Sequence, residues 1–101
     1  MDFQVRKDGE SIELLLSGRL EFTDHDRLHD VIELLETRGV RRFIIDAKDL
    51  TFIDSAGIGM LLILQDETEQ RNIKMIVRKL HGDVKRSIDL ARIGEIITIE
   101  E

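Results

Sequence analysis

Ile12, Leu14 and Leu16 alternate with Glu13, Leu15 and Ser17, and this two-residue period predicts a strand over Ser11 to Ser17 with one wholly apolar face. Asp2 to Arg6 reads as a second strand, and the Asp8-Gly9 pair between the two suits a tight turn, so the chain is expected to open with a β-hairpin. From Leu28 the period changes. Leu28, Val31, Ile32 and Leu35 recur at helical spacing after Thr23 and Asp26, a pair that resembles a capping box with aspartate in place of glutamate. Gly39 ends that helix, and Val40 to Asp46 predicts a strand whose centre, Phe43-Ile44-Ile45, has no alternation and is therefore expected to be central and buried on both faces.

Beyond Asp46 a polar loop is expected, and Asp54-Ser55 then opens a segment too long and apolar for another strand. At 100° per residue this helix puts Ile58, Leu61, Leu62 and Gln65 on one side and Met60, Ile63 and Leu64 on the other. Both sides are oily, so one is expected to pack on the sheet and part of the other, Met60 and Leu64 in particular, to face a partner. Ile73 to Val77 reads as a strand. Asp83 to Arg92 reads as a helix with Val84, Ser87, Ile88 and Ala91 inward, and Gly94 as its stop before a last strand, Ile96 to Ile99. The alternation of strand and helix predicts a single α/β domain over residues 1–101. Its sheet is expected to be mixed but mostly parallel, opened by the hairpin, with about three helices packed on its faces.

Ser55 is the candidate for chemistry. At a helix start a serine can cap a free N–H group, and the positive end of the helix dipole favours a negative charge attached to it, so the position suits a phosphate as well as a plain cap. Gly57 and Gly59 in the first turns each cost roughly 1 kcal/mol against alanine, which implies a close approach to that backbone, either by a partner or by the chain's own sheet.

Charge narrows the choice of partner. Lys and Arg total 15 against 21 Asp and Glu, a net charge of −6, which lacks the basic footprint of direct nucleic-acid binding. There is no cysteine, no basic-then-apolar leader, and no apolar run near the roughly 20 residues needed to cross a bilayer, so a cytoplasmic protein without membrane insertion is expected.

The run Ile53-Asp54-Ser55-Ala56-Gly57-Ile58-Gly59, with Leu16-Ser17-Gly18-Arg19-Leu20 upstream and Phe43-Ile44-Ile45-Asp46 between, resembles the STAS family of anti-sigma-factor antagonists over nearly the whole chain. The resemblance implies that Ser55 is phosphorylated by a partner, an anti-sigma factor with serine-kinase activity, and restored by a PP2C-type phosphatase. Many members carry a second hydroxyl next to the acceptor, where this chain has Ala56. On this reading Asp54, Ser55, Ala56, Gly57, Ile58, Gly59, Met60 and Leu64 form the partner-binding surface, and the protein is a binding module with no catalytic residue and no cofactor. The alternative is a constitutive structural subunit of a signalling assembly or a transporter, with Ser55 only a helix cap.

Other constellations are weaker. His25 and His29 have the spacing of a zinc-protease motif, but a catalytic zinc needs a third protein ligand and His81 is far along the chain, so no metal site is expected. Ser55 lacks the glycine two residues before it that a nucleophile elbow requires, and Gly57-Ile58-Gly59 lacks the rest of a nucleotide fingerprint.

Overall fold

The computed structural model describes residues 1–101. Its elements run β1 (Asp2–Asp8), β2 (Ser11–Leu20), a 3-10 turn (Phe22–Arg27), α1 (Leu28–Leu34), β3 (Arg42–Ile53), α2 (Ser55–Gln70), β4 (Lys74–Arg78), α3 (Gly82–Leu90), a short 3-10 turn (Ile93–Glu95) and β5 (Thr98–Glu100). β1 and β2 form the antiparallel hairpin, turned at Gly9 with φ +58°. β2 to β5 are parallel, and the strands lie in the sheet in chain order, β1-β2-β3-β4-β5.

That order decides where the helices go. Three successive right-handed crossovers stepping the same way along a sheet leave all their helices on one side. One continuous core accordingly joins Ile12, Leu14, Phe43, Ile45, Met75 and Val77 of the sheet to residues of all three helices, among them Val31, Leu61 and Ile88. The other face carries no helix. Ile44 and Ile76 lie there, nearly sealed from solvent yet outside the main core. Phe43-Ile44-Ile45 is thus central and buried as expected, but the helices cover one face and not both.

β3 extends to Ile53, so the polar loop expected after Asp46 is strand. Two register shifts in the pairing with β2, between Leu15 and Ser17 and between Gly18 and Arg19, break the two-residue period. Ala47, Leu50 and Ile53 are buried at three-residue spacing, a pattern that does not read as a strand. The helix after β2 also starts differently from expectation. Asp24, not Asp26, closes its first turn by accepting from the Glu21 N–H at 2.8 Å, and the chain runs as 3-10 until Leu28. α3 ends at Leu90, followed by Arg92 at φ +56°, which leaves Ala91 exposed and Ser87 half-buried. Ile96 and Ile97 precede β5, which pairs only from Thr98.

Candidate functional site

At the end of β3 the chain turns into α2 through Asp54, whose extended backbone (φ −104°, ψ −176°) is that of an N-cap. Its two carboxylate oxygens are divided between two elements. Oδ1 accepts from the Gly57 N–H at 2.7 Å and caps α2. Oδ2 accepts from the Phe22 N–H at 3.3 Å and ties down the turn after β2. The Asp54 N–H in turn donates to the Leu20 carbonyl at 3.3 Å. The cap of α2 is therefore Asp54 and not Ser55. Asp54 precedes the helix with the dihedral freedom of a cap, whereas Ser55 is already its first helical residue.

Freed from capping, the Ser55 side chain is exposed and its hydroxyl makes no hydrogen bond within the chain. It stands in the first turn of a 16-residue helix, where N–H groups lack helical acceptors and the dipole favours negative charge. The Asp54 carboxylate beside it works against a second negative charge. Arg19, on the adjacent strand, is held by Glu21 at 2.7 Å and lies over the Phe52 ring at 3.9 Å. Its charge is already compensated at this end of the sheet.

The two glycines separate cleanly. A Cβ on Gly57 would lie 2.3 Å from the Leu20 carbonyl oxygen and 2.7 Å from Ile53 Cγ1, so its close neighbour is the chain's own sheet. A Cβ on Gly59 would meet nothing within 4 Å. The buried side of α2 is Gly57, Met60, Leu61, Leu64 and Thr68, a three-four repeat that a reading by hydropathy alone could not select among so many apolar residues. Met60 and Leu64, expected to face a partner, are only 3% and 4% exposed and belong to the core. The outward side carries the exposed Ser55, Ile63 and Asp66, with Ala56, Ile58, Gly59 and Leu62 half-buried among and beside them.

Of the two large apolar residues exposed here, the sequence reading placed Ile63 on the side of α2 given to a partner without singling it out, and missed Phe22. Ile63 is 40% exposed on the outer side of α2, two turns beyond Ser55, and Phe22 is 73% exposed on the turn that Asp54 holds. An isolated phenylalanine in the polar run from Glu21 to Arg27 was the available signal for the second. The acids there have separate work. Burial would raise the Asp24 carboxyl, but the N-terminal ammonium, the Glu21 N–H and the charge of Arg27 hold it below its ordinary range. His25 and His29 are exposed, and no group of three or more His, Cys, Asp or Glu side chains is placed to hold a metal. No helix is long and apolar enough to cross a membrane.

Comparison with known proteins agrees with this architecture. The STAS domain profile matches residues 2–101. A STAS-domain-containing protein of Pseudomonas aeruginosa is 25% identical over 92 residues, 91% of this chain and 90% of the relative. Among solved structures, the anti-sigma factor antagonist SpoIIAA in its unphosphorylated form superposes with a TM-score of 0.73 at 19% identity, covering 99% of this chain and 88% of that one. The murine anion transporter Slc26a9 superposes with a TM-score of 0.76 at 18% identity over 89% of this chain, which matches only 15% of the transporter.

Proposed function

The chain belongs to the STAS domain family, and from that premise we propose that it is a phospho-regulated protein-binding module of the anti-sigma-factor-antagonist type. It binds an anti-sigma factor with serine-kinase activity while Ser55 is unphosphorylated, and lets it go once Ser55 carries a phosphate. A PP2C-type phosphatase resets it. The module works in the cytoplasm, takes no cofactor and performs no catalysis of its own.

The observation that carries this reading is the division of labour between Asp54 and Ser55. Asp54 caps the helix, so the neighbouring hydroxyl has no structural task and is free for an incoming phosphoryl group. In the free protein a phosphoserine brings about −1.5 to −2 charges to a solvent-exposed helix N-terminus, where the dipole offsets part of the repulsion from Asp54. In a complex the same charge would be pressed against a surface fitted to a neutral hydroxyl, and an unpaired buried charge costs several kcal/mol. Even about 3 kcal/mol weakens binding more than a hundredfold.

A second reading, a constitutive subunit of a transporter or signalling assembly, is favoured by the likeness to part of an anion transporter. Its account of Ser55 as a cap is contradicted by the geometry, because Asp54 has that role. Phosphate labelling in cells separates the two. The switch predicts label on the wild-type protein and none on Ser55→Ala, whereas the constitutive subunit predicts no label on either.

A further inference from the structure

The sheet face without helices has a cleft of about 270 Å³ on its floor at Ile44, lined by Arg6, Asp8, Ser11, Glu13, Arg42, Ile44 and Arg78. The register explains how three arginines from three strands meet there. Arg6 stands beside Glu13 on the hairpin, Glu13 beside Ile44, and Arg42 and Arg78 flank Ile44 from opposite ends of β3 and β4. Each guanidinium is held through one nitrogen, Arg6 by Glu13 at 3.2 Å, Arg78 by Glu100 at 2.8 Å and Arg42 by the Ser11 hydroxyl at 3.1 Å. Arg42 has no carboxylate partner. The remaining N–H groups of the three forks are unused within the chain, and Lys74 stands beside Arg42 on the same face.

The seven lining residues carry three positive and two negative charges, and at the edge Glu100, which offsets Arg78, and Lys74 beside Arg42 add one of each sign, which leaves a local positive excess in a chain whose net charge is −6. From this cleft we infer that the open sheet face binds a compact, multiply charged phosphate anion, bridged between Arg42 and Arg78 with Arg6 at its edge. Guanidinium forks suit such oxygens because they offer paired, parallel donors. Ile44 is the one apolar lining residue and no aromatic ring is present, so nothing in the cleft would stack on a nucleobase. The site is independent of Ser55. Ile44 and the end of β3 are nine residues apart, roughly 30 Å at the rise of a strand, so a bound anion would be a second input separate from the helix terminus.

Titrating the intact, isotope-labelled protein with pyrophosphate at low salt, and separately with a nucleoside diphosphate, tests this. Saturable amide shifts are expected at residues 6 to 8, 11 to 13, 42 to 44 and 78, with the two ligands binding equally within about threefold because the base adds no contact. Arg42→Gln and Arg78→Gln should each weaken binding at least about tenfold, while Arg86→Gln, on the exposed side of α3, leaves it unchanged. Shifts that fail to saturate, that scatter over the other lysines and arginines, or that persist in folded Arg42→Gln and Arg78→Gln would overturn the site. A nucleotide bound far more tightly than pyrophosphate would overturn its assignment to a compact anion.

Discussion

Replacing Gly57 and Gly59 by alanine, one at a time, should move stability in opposite directions, although the residues are two apart in one helix. Intrinsic helix preference favours both changes by about 0.8–1 kcal/mol. At Gly59 nothing opposes it, since the new methyl group meets no atom within 4 Å. Gly59→Ala should therefore raise stability by nearly that whole amount, about 4–8 °C in melting temperature for a domain of this size. At Gly57 the methyl group would sit 2.3 Å from the Leu20 carbonyl oxygen, far inside contact distance. That oxygen is backbone and accepts the Asp54 N–H, so it cannot move without loosening the Asp54 clamp. A contact this short to a backbone atom belongs at the upper end of the about 1–3 kcal/mol that overpacking costs, so after the helix gain Gly57→Ala is left less stable by about 2 kcal/mol. Urea unfolding of the two variants and wild type, fitted with a common slope, reads the difference directly. If Gly57→Ala were as stable as Gly59→Ala, the tight seating of α2 on the end of β2 would be wrong. A binding measurement adds the functional half: Gly59→Ala should weaken capture of the partner while stabilising the fold, because its methyl group lies between Ser55 and Ile63 on the outward side.

Three further outcomes follow from the same geometry. Met60→Lys should destabilise the fold by several kcal/mol, since it buries an unpaired charge in the core, whereas Ile63→Glu should leave the unfolding midpoint nearly unchanged and reduce partner binding; thermal melts and affinity capture of both variants separate core from surface. Asp54→Ala removes an N-cap and should cost about 1–2 kcal/mol, and the Phe22 amide, losing its acceptor, should exchange faster with solvent in hydrogen-exchange measurements. Asp24 is depressed in the folded protein, so the stability it contributes is present above its unfolded value near 4 and is lost as pH falls through the lower folded value. Asp24→Asn should accordingly be less stable than wild type by about 1–2 kcal/mol at neutral pH, and denaturant titrations at a series of pH values should show the gap closing below about pH 4.

How far the sequence could be read depended on whether one short-range pattern decided the outcome. The alternation of Ile12, Leu14 and Leu16 and the unbroken Phe43-Ile44-Ile45 gave their strands directly, because each is set by burial against immediate neighbours. The second half of β3 was hidden because register shifts against β2 moved its buried positions to Ala47, Leu50 and Ile53. Met60 and Leu64 were misplaced for a different reason. α2 is apolar on nearly every side, so hydropathy gives little direction, and its rotation is set by Gly57 seating on Leu20. Asp54 and Ser55 were found together, but their roles could be separated only by the hydrogen bonds to Gly57 and Phe22. Phe22 lies 32 residues before Asp54, and no local pattern joins them.

The most direct test of the phosphate switch compares the protein with and without phosphate on Ser55 in two readings made on the same samples, affinity for the captured anti-sigma partner and the backbone amide spectrum. The account predicts binding weaker by at least about tenfold, and by more than a hundredfold if the full charge is buried. It predicts amide changes confined to the neighbourhood of Ser55, the Asp54 cap and the Phe22 turn. Equal affinity of the two forms, or spectral change spread through β1, β4 and α3, would contradict a switch that acts by local charge on an otherwise unaltered fold.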